Sequence, residues 1–62
     1  MKTNSIVRLN DGRTSYHVKE TMKQIMGKLS DTKFIKLTDQ ALGPVLINIS
    51  NIISVTNYDK YY

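Results

Sequence analysis

Residues 45–55 read VLINISNIISV, and the spacing of the apolar side chains gives the first indication of the fold. Val45, Ile47 and Ile49 alternate with Leu46, Asn48 and Ser50, which is the two-residue period of a β-strand. Residues 5–9, SIVRL, carry the same period, with Ser5, Val7 and Leu9 on one side and Ile6 and Arg8 on the other. Residues 33–38, KFIKLT, repeat it: Ile35 and Leu37 face one way, Phe34 and Lys36 the other. One stretch follows a different rule. In residues 18–29, VKETMKQIMGKL, the side chains of Val18, Met22, Ile25, Met26 and Leu29 fall on a single stripe about 100° wide at helical spacing. The pattern predicts a helix there. Glu20 near its start and Lys28 near its end complement the helix dipole, while Gly27 opposes it by about 1 kcal/mol relative to Ala.

Turn chemistry separates these segments. Asn10-Asp11-Gly12 suits a tight turn, because Gly accepts positive φ and Asn or Asp tolerates it. Residues 13–17, RTSYH, then form the returning arm of a hairpin. Ser30-Asp31-Thr32 reads as the helix exit, and residues 39–44, DQALGP, read as a loop with Gly43-Pro44 just ahead of a strand. Ser50-Asn51 breaks the last apolar run, so IISV becomes a short final strand, and residues 57–62 form an aperiodic end that frays. The expectation is one α+β domain over residues 1–62, ordered β-β-α-β-β-β. Its sheet is small and mostly antiparallel, with one helix packed on one face.

That arrangement sorts the side chains into two faces. Val7, Leu9, Ile35, Leu37, Val45, Ile47 and Ile49 belong under the helix. Ile6, Arg8, Phe34, Lys36, Leu46 and Asn48, with Ile52 assigned beside them, belong on the opposite face. A sheet face turned to water is normally polar, whereas this one mixes large apolar groups with two cations. One helix cannot cover both faces. Ile6, Phe34, Leu46 and Ile52 are therefore the candidate self-association or partner surface, and a homodimer is the expected state.

Size sharpens this expectation. A 62-residue chain buries a small share of its surface, so its stability is marginal. Small domains often add a disulfide, a metal or a partner. The chain has no Cys and one His, which removes a disulfide, a thiolate site and the usual zinc sets. Leu, Ile, Val and Phe make up 17 of 62 residues, above the roughly one-fifth below which chains stay disordered. The longest apolar run, Val45 to Ile47, is far too short for a membrane span or a signal-peptide core, and a cytoplasmic location is expected.

The net charge of +4 opens a second reading. Arg8 and Lys36 point outward around Phe34, a stacking group, and Arg13 and Lys33 lie close by in sequence. These four cations are the candidate contacts of a sheet-based nucleic-acid binder. Lys28 lies about 180° from Lys19 on the helix, which is poor for a DNA-reading helix. The duller cause of the charge is a Lys- and Ile-rich composition of the kind an AT-rich genome produces, with lysines guarding strand edges.

Catalytic machinery is not apparent. His17 has Ser15 and Glu20 near it in sequence, but no motif joins them, and it reads as structural or exposed. Asp11 and Asp39 could approach one another if their loops shared a sheet edge, yet both sit in turn-like stretches where Asp serves the backbone. There is no Gly-rich phosphate loop and no metal-ligand spacing. The expectation is a non-enzyme with no cofactor and no metal. Met22 and Met26 read as core fillers, and Tyr58, Tyr61 and Tyr62 as an aromatic end.

The run IVRLNDGR, then FIKLTD, a later Gly and VLINISNIISV resembles the small flagellar FlbD/SwrD-like pattern among bacterial and phage proteins. The chain departs from it by carrying a distinct helix between residues 18 and 29. The resemblance implies a short regulatory or accessory protein of bacterial or prophage origin that acts by binding another protein, and it assigns no residue a role.

Overall fold

A computed structural model of the chain describes residues 2–29 and 33–58. Five strands appear: β1 (Ser5–Leu9), β2 (Ser15–Val18), β3 (Phe34–Asp39), β4 (Gly43–Asn48) and β5 (Ile52–Asn57). A helix, α1 (Met22–Lys28), lies between β2 and β3, and one turn of 3-10 helix, Ile49–Asn51, joins β4 to β5. The sheet runs β4-β3-β2-β1-β5, with every pairing antiparallel. The α+β class and the β-β-α-β-β-β order read from the sequence are those of the structure.

The two edge strands, β4 and β5, are consecutive in the chain. A flat five-stranded sheet would hold its edges about 19 Å apart. A three-residue 3-10 turn advances only about 6 Å. The sheet must therefore curl until its edges converge at that turn. Two hydrogen bonds fix the turn in place: Ile49 N–H donates to the Lys33 carbonyl (2.9 Å) and Asn10 N–H to the Asn51 carbonyl (2.8 Å). The Asn48 side chain caps it by accepting from the Ser50 N–H and hydroxyl.

Curling gives the sheet an inside. Val7, Val18, Ile35, Leu37 and Ile47 are buried there together with Ile25 of α1. Leu9, Tyr16, Val45, Ile49, Ile52 and Val55 pack around them, half-buried. The face expected to lie under the helix does so. Ile52 is a correction: it was assigned to the outer side and lies against the core. The cause is a register shift between Arg8 and Leu9, where Leu9 faces Ile52 and Arg8 faces Ser54. Ile53 is the extra residue of that bulge, and it points out, 65% exposed.

The helix is shorter than its apolar stripe suggested. Val18 belongs to β2, opposite Ser5 and Asp39. Thr21 is the N-cap, and its side chain accepts from Gln24 N–H while the Gln24 side chain accepts from Thr21 N–H. This reciprocal box fixes the start three residues beyond Val18. Of the two methionines read as core fillers, Met22 is half-buried and Met26 is 64% exposed. Ile25 is the only fully buried side chain that α1 contributes. The sequence Ser30-Asp31-Thr32, read as the helix exit, lies outside the described residues, as do Tyr61 and Tyr62. At the other end β5 runs through Asn57, and Tyr58 N–H donates to the Asn4 carbonyl (3.0 Å); the remainder of the end expected to fray, residues 59–62, lies outside the described residues.

The β3–β4 hairpin shows how local chemistry sets register. Asp39 pairs with Gly43 across a three-residue loop, and Gly43 has φ +80°, the left-handed value such loops demand. Because Lys33 and Ile49 form a hydrogen-bonded pair, alternation along the ladder turns the backbone groups of Pro44, Leu46 and Asn48 away from β3. Pro44 thus lies inside β4 rather than ahead of it, at a position where the ladder requires no N–H.

A domain of this length is stable by about 3–9 kcal/mol. Leu37→Ala, which empties a fully buried site, is expected to cost about 2–5 kcal/mol and leave the chain largely unfolded or close to it. Met26→Ala should change stability by less than about 0.5 kcal/mol. Urea titration followed by circular dichroism checks both, and equal losses from the two would contradict this assignment of the core.

Candidate interaction surface

The outer face of the β3–β4 hairpin carries two of the exposed large apolar side chains, Phe34 and Leu46; Met26, Leu42, Ile53 and Tyr58 are exposed elsewhere. Phe34 stands opposite Asn48, and Lys36 opposite Leu46, all on the side away from the helix. Phe34 and Leu46 are therefore diagonal neighbours, within reach of one another. They are 48% and 69% exposed. Lys33, Phe34, Asn48, Ile49 and Ser50 line a shallow, mainly apolar concavity at the end of this face. Of the four residues expected to form one surface, Phe34 and Leu46 come together. Ile6 does not join them: it is on the outer side but only 8% exposed, between His17 on β2 and Thr56 on β5. Ile52 is turned inward, as described above.

The four candidate cations divide into two pairs. Lys33 and Lys36 flank Phe34, both exposed. Arg8 and Arg13 lie elsewhere, around a groove of about 190 Å³ lined also by Gly12, Ser15 and Ile53. The groove's floor is stiffened by Asp11, whose carboxylate accepts from the N–H groups of Arg13 and Thr14 (2.8 Å each) and from the Thr14 hydroxyl. Gly12 completes this turn with φ +75°. These bonds hold the Asp11 carboxyl below its ordinary value.

A third polar cluster joins β2 to β3. The two strands meet only near Val18 and Asp39, and then part. Side chains replace the missing ladder bonds. Asp39 accepts from His17 N–H (3.0 Å) and, with its other oxygen, from Ala41 and Leu42 N–H (2.9 Å each). Glu20 accepts from Thr38 N–H (2.9 Å) and from the Thr38 hydroxyl (3.0 Å). Lys28 Nζ donates to the Lys36 carbonyl (3.1 Å) further along the same edge. Burial alone would push the Glu20 carboxyl up, but the bonds from Thr38 and its own N–H, together with the nearby Lys28 charge, hold it down. Asp39 is likewise pushed up by burial and held lower overall by Leu42, Ala41 and His17.

Glu20 was expected to serve the helix dipole. It instead precedes the helix and splices two strands. Asp11 and Asp39 do serve their turns, and they lie at opposite ends of β2, too far apart to act as a pair. The His17 ring packs at 6.2 Å from that of Tyr58. Among the described residues no group of three His, Asp or Glu side chains could hold a metal, and no helix is long and apolar enough to cross a membrane. Comparison with protein-family models, curated proteins and solved structures finds no match for this chain.

Glu20 and Asp39 have folded-state values below their ordinary 4.5 and 3.8, so their stabilisation is complete above those values. It is lost as pH falls through and below them. The melting temperature is expected to be flat from about pH 7 to about pH 5 and to drop in more acid solution. Glu20→Gln should cost about 1–2 kcal/mol at neutral pH and flatten the acid limb. Thermal melts across this range test it, and an acid limb identical in the variant would contradict the splice.

Proposed function

We propose that this chain is a small non-enzymatic binding protein, an accessory or regulator, acting through protein–protein contact and self-association on the outer face of β3–β4. The observation that carries the reading is the adjacency of Phe34 and Leu46 on a sheet face that the chain's own helix does not reach. The single helix is committed to the inside through Ile25. In so small a chain, covering the outer pair adds to a marginal core. The FlbD/SwrD-like pattern favours the same kind of role. Bacterial or phage origin and a cytoplasmic location belong to this proposal.

A second reading, single-strand nucleic-acid binding on the same face, is favoured by one observation. Lys33 and Lys36 flank Phe34, so phosphate contacts and a stacking ring lie side by side.

Sedimentation velocity decides the first reading. The wild-type chain is expected to be dimeric at high micromolar concentration, and Phe34→Asp should weaken the dimer by about tenfold or more. A wild-type monomer at that concentration would overturn it. If instead a labelled oligonucleotide binds with a steep salt dependence, and Lys36→Gln lowers that slope, the second reading holds.

A further inference from the structure

The two edges of the sheet are not equally protected. On β4, Pro44 offers no N–H and the Asn48 side chain is folded over the adjoining turn. On β5 the sequence from Ile52 to Asn57 contains no charge and no proline, the two usual guards of an exposed edge. Tyr58 N–H bonds to Asn4, so by alternation Thr56 and Ser54 turn their backbone groups toward β1 while Val55 and Asn57 turn theirs outward. Among the described residues no backbone hydrogen bond reaches that outer edge.

The Arg8–Arg13 groove opens at the start of the same strand, where Ile53 forms part of its wall. Its lining holds two guanidinium groups and no carboxylate. Arg8 faces Ser15 and Ser54 across the ladder, neither of them acidic. The nearest acid in sequence, Asp11, already has its oxygens engaged by the turn. Arginine pairs of this kind suit carboxylates.

We propose that β5 and the Arg8–Arg13 groove together form a docking site for an extended acidic peptide segment of another protein, which adds as a sixth strand beside β5 and sets its carboxylates on the two arginines. Main-chain bonds to Val55 and Asn57 supply affinity, Ile53 takes an apolar side chain, and the arginines select for acid. A second copy of this chain fits less well, because the chain carries +4 and β5 offers no acid to neutralise the groove. The site is separate from the Phe34–Leu46 face, so either proposal can fail without the other.

The test uses the isotope-labelled full chain and a synthetic peptide alternating Glu with Val and Thr. Expected are shifts at Arg8, Arg13, Ile53, Val55 and Asn57, slowed amide exchange at Val55 and Asn57, and affinity reduced by about tenfold in the double variant R8Q/R13Q. Both arginines are exposed, and circular dichroism confirms that the double variant is folded. Leu46→Asp should leave peptide binding unchanged. Shifts at the arginines without protection of the edge amides would overturn the added strand. So would protection of Val55 and Asn57 in the free chain that grows with its concentration, which marks self-pairing, or displacement of the peptide by a neutral one of the same pattern at equal concentration.

Discussion

The structure depends on one geometric constraint. Strands β4 and β5 stand at opposite edges of the sheet and are tied together by three residues. A flat sheet cannot satisfy that tie, so the sheet curls, and curling creates an interior without a second sheet or a second layer of helices. Seven helical residues then suffice to close it, because α1 has only to supply Ile25 to a core that the strands already build. This is how a 62-residue chain without disulfide or thiolate metal site reaches a set of six buried apolar side chains.

The cost of curling falls at the seam between β2 and β3. Those strands share only a short stretch of ladder, and the backbone groups left over must be satisfied elsewhere. Glu20, Asp39 and Lys28 do this with side chains that reach across the seam. The carboxylates thus act as substitute backbone, which explains why they are buried or half-engaged in a protein with so little interior, and why both hold their protons less tightly than usual. Among the described residues no buried side-chain polar atom lacks a partner.

Much of this was legible in the residues. The two-residue period in SIVRL, KFIKLT and VLINI identified the strands and their inner faces, since the same side chains that alternate in sequence lie inside. The helix was located but drawn too long, because Val18, the last residue of β2, happens to fall on its apolar stripe. Thr21 and Gln24, spaced as a capping box, were the signal that marks its true start. Ile52 was placed on the wrong side because a bulge changes facing by one residue, and no pattern in IISV announces where the extra residue goes. Glu20 was misread for a different reason. A carboxylate that closes a gap between strands is visible only once the strands have positions in space. Phe34 and Leu46 were legible as outward from alternation alone, but their adjacency needed the register of β3 against β4.

The proposed function starts from the same geometry: a curled sheet has one inside, and alternation turns Phe34 and Leu46 to the outer surface, where they are 48% and 69% exposed. The most direct test is an isotope-filtered NMR experiment on a mixture of labelled and unlabelled chains. The account predicts intermolecular contacts at Phe34 and Leu46, with Ile25, Leu37 and Ile47 showing contacts only within their own chain. Intermolecular contacts from those three buried residues, or contacts of Phe34 and Leu46 with the core of their own protomer, would contradict it.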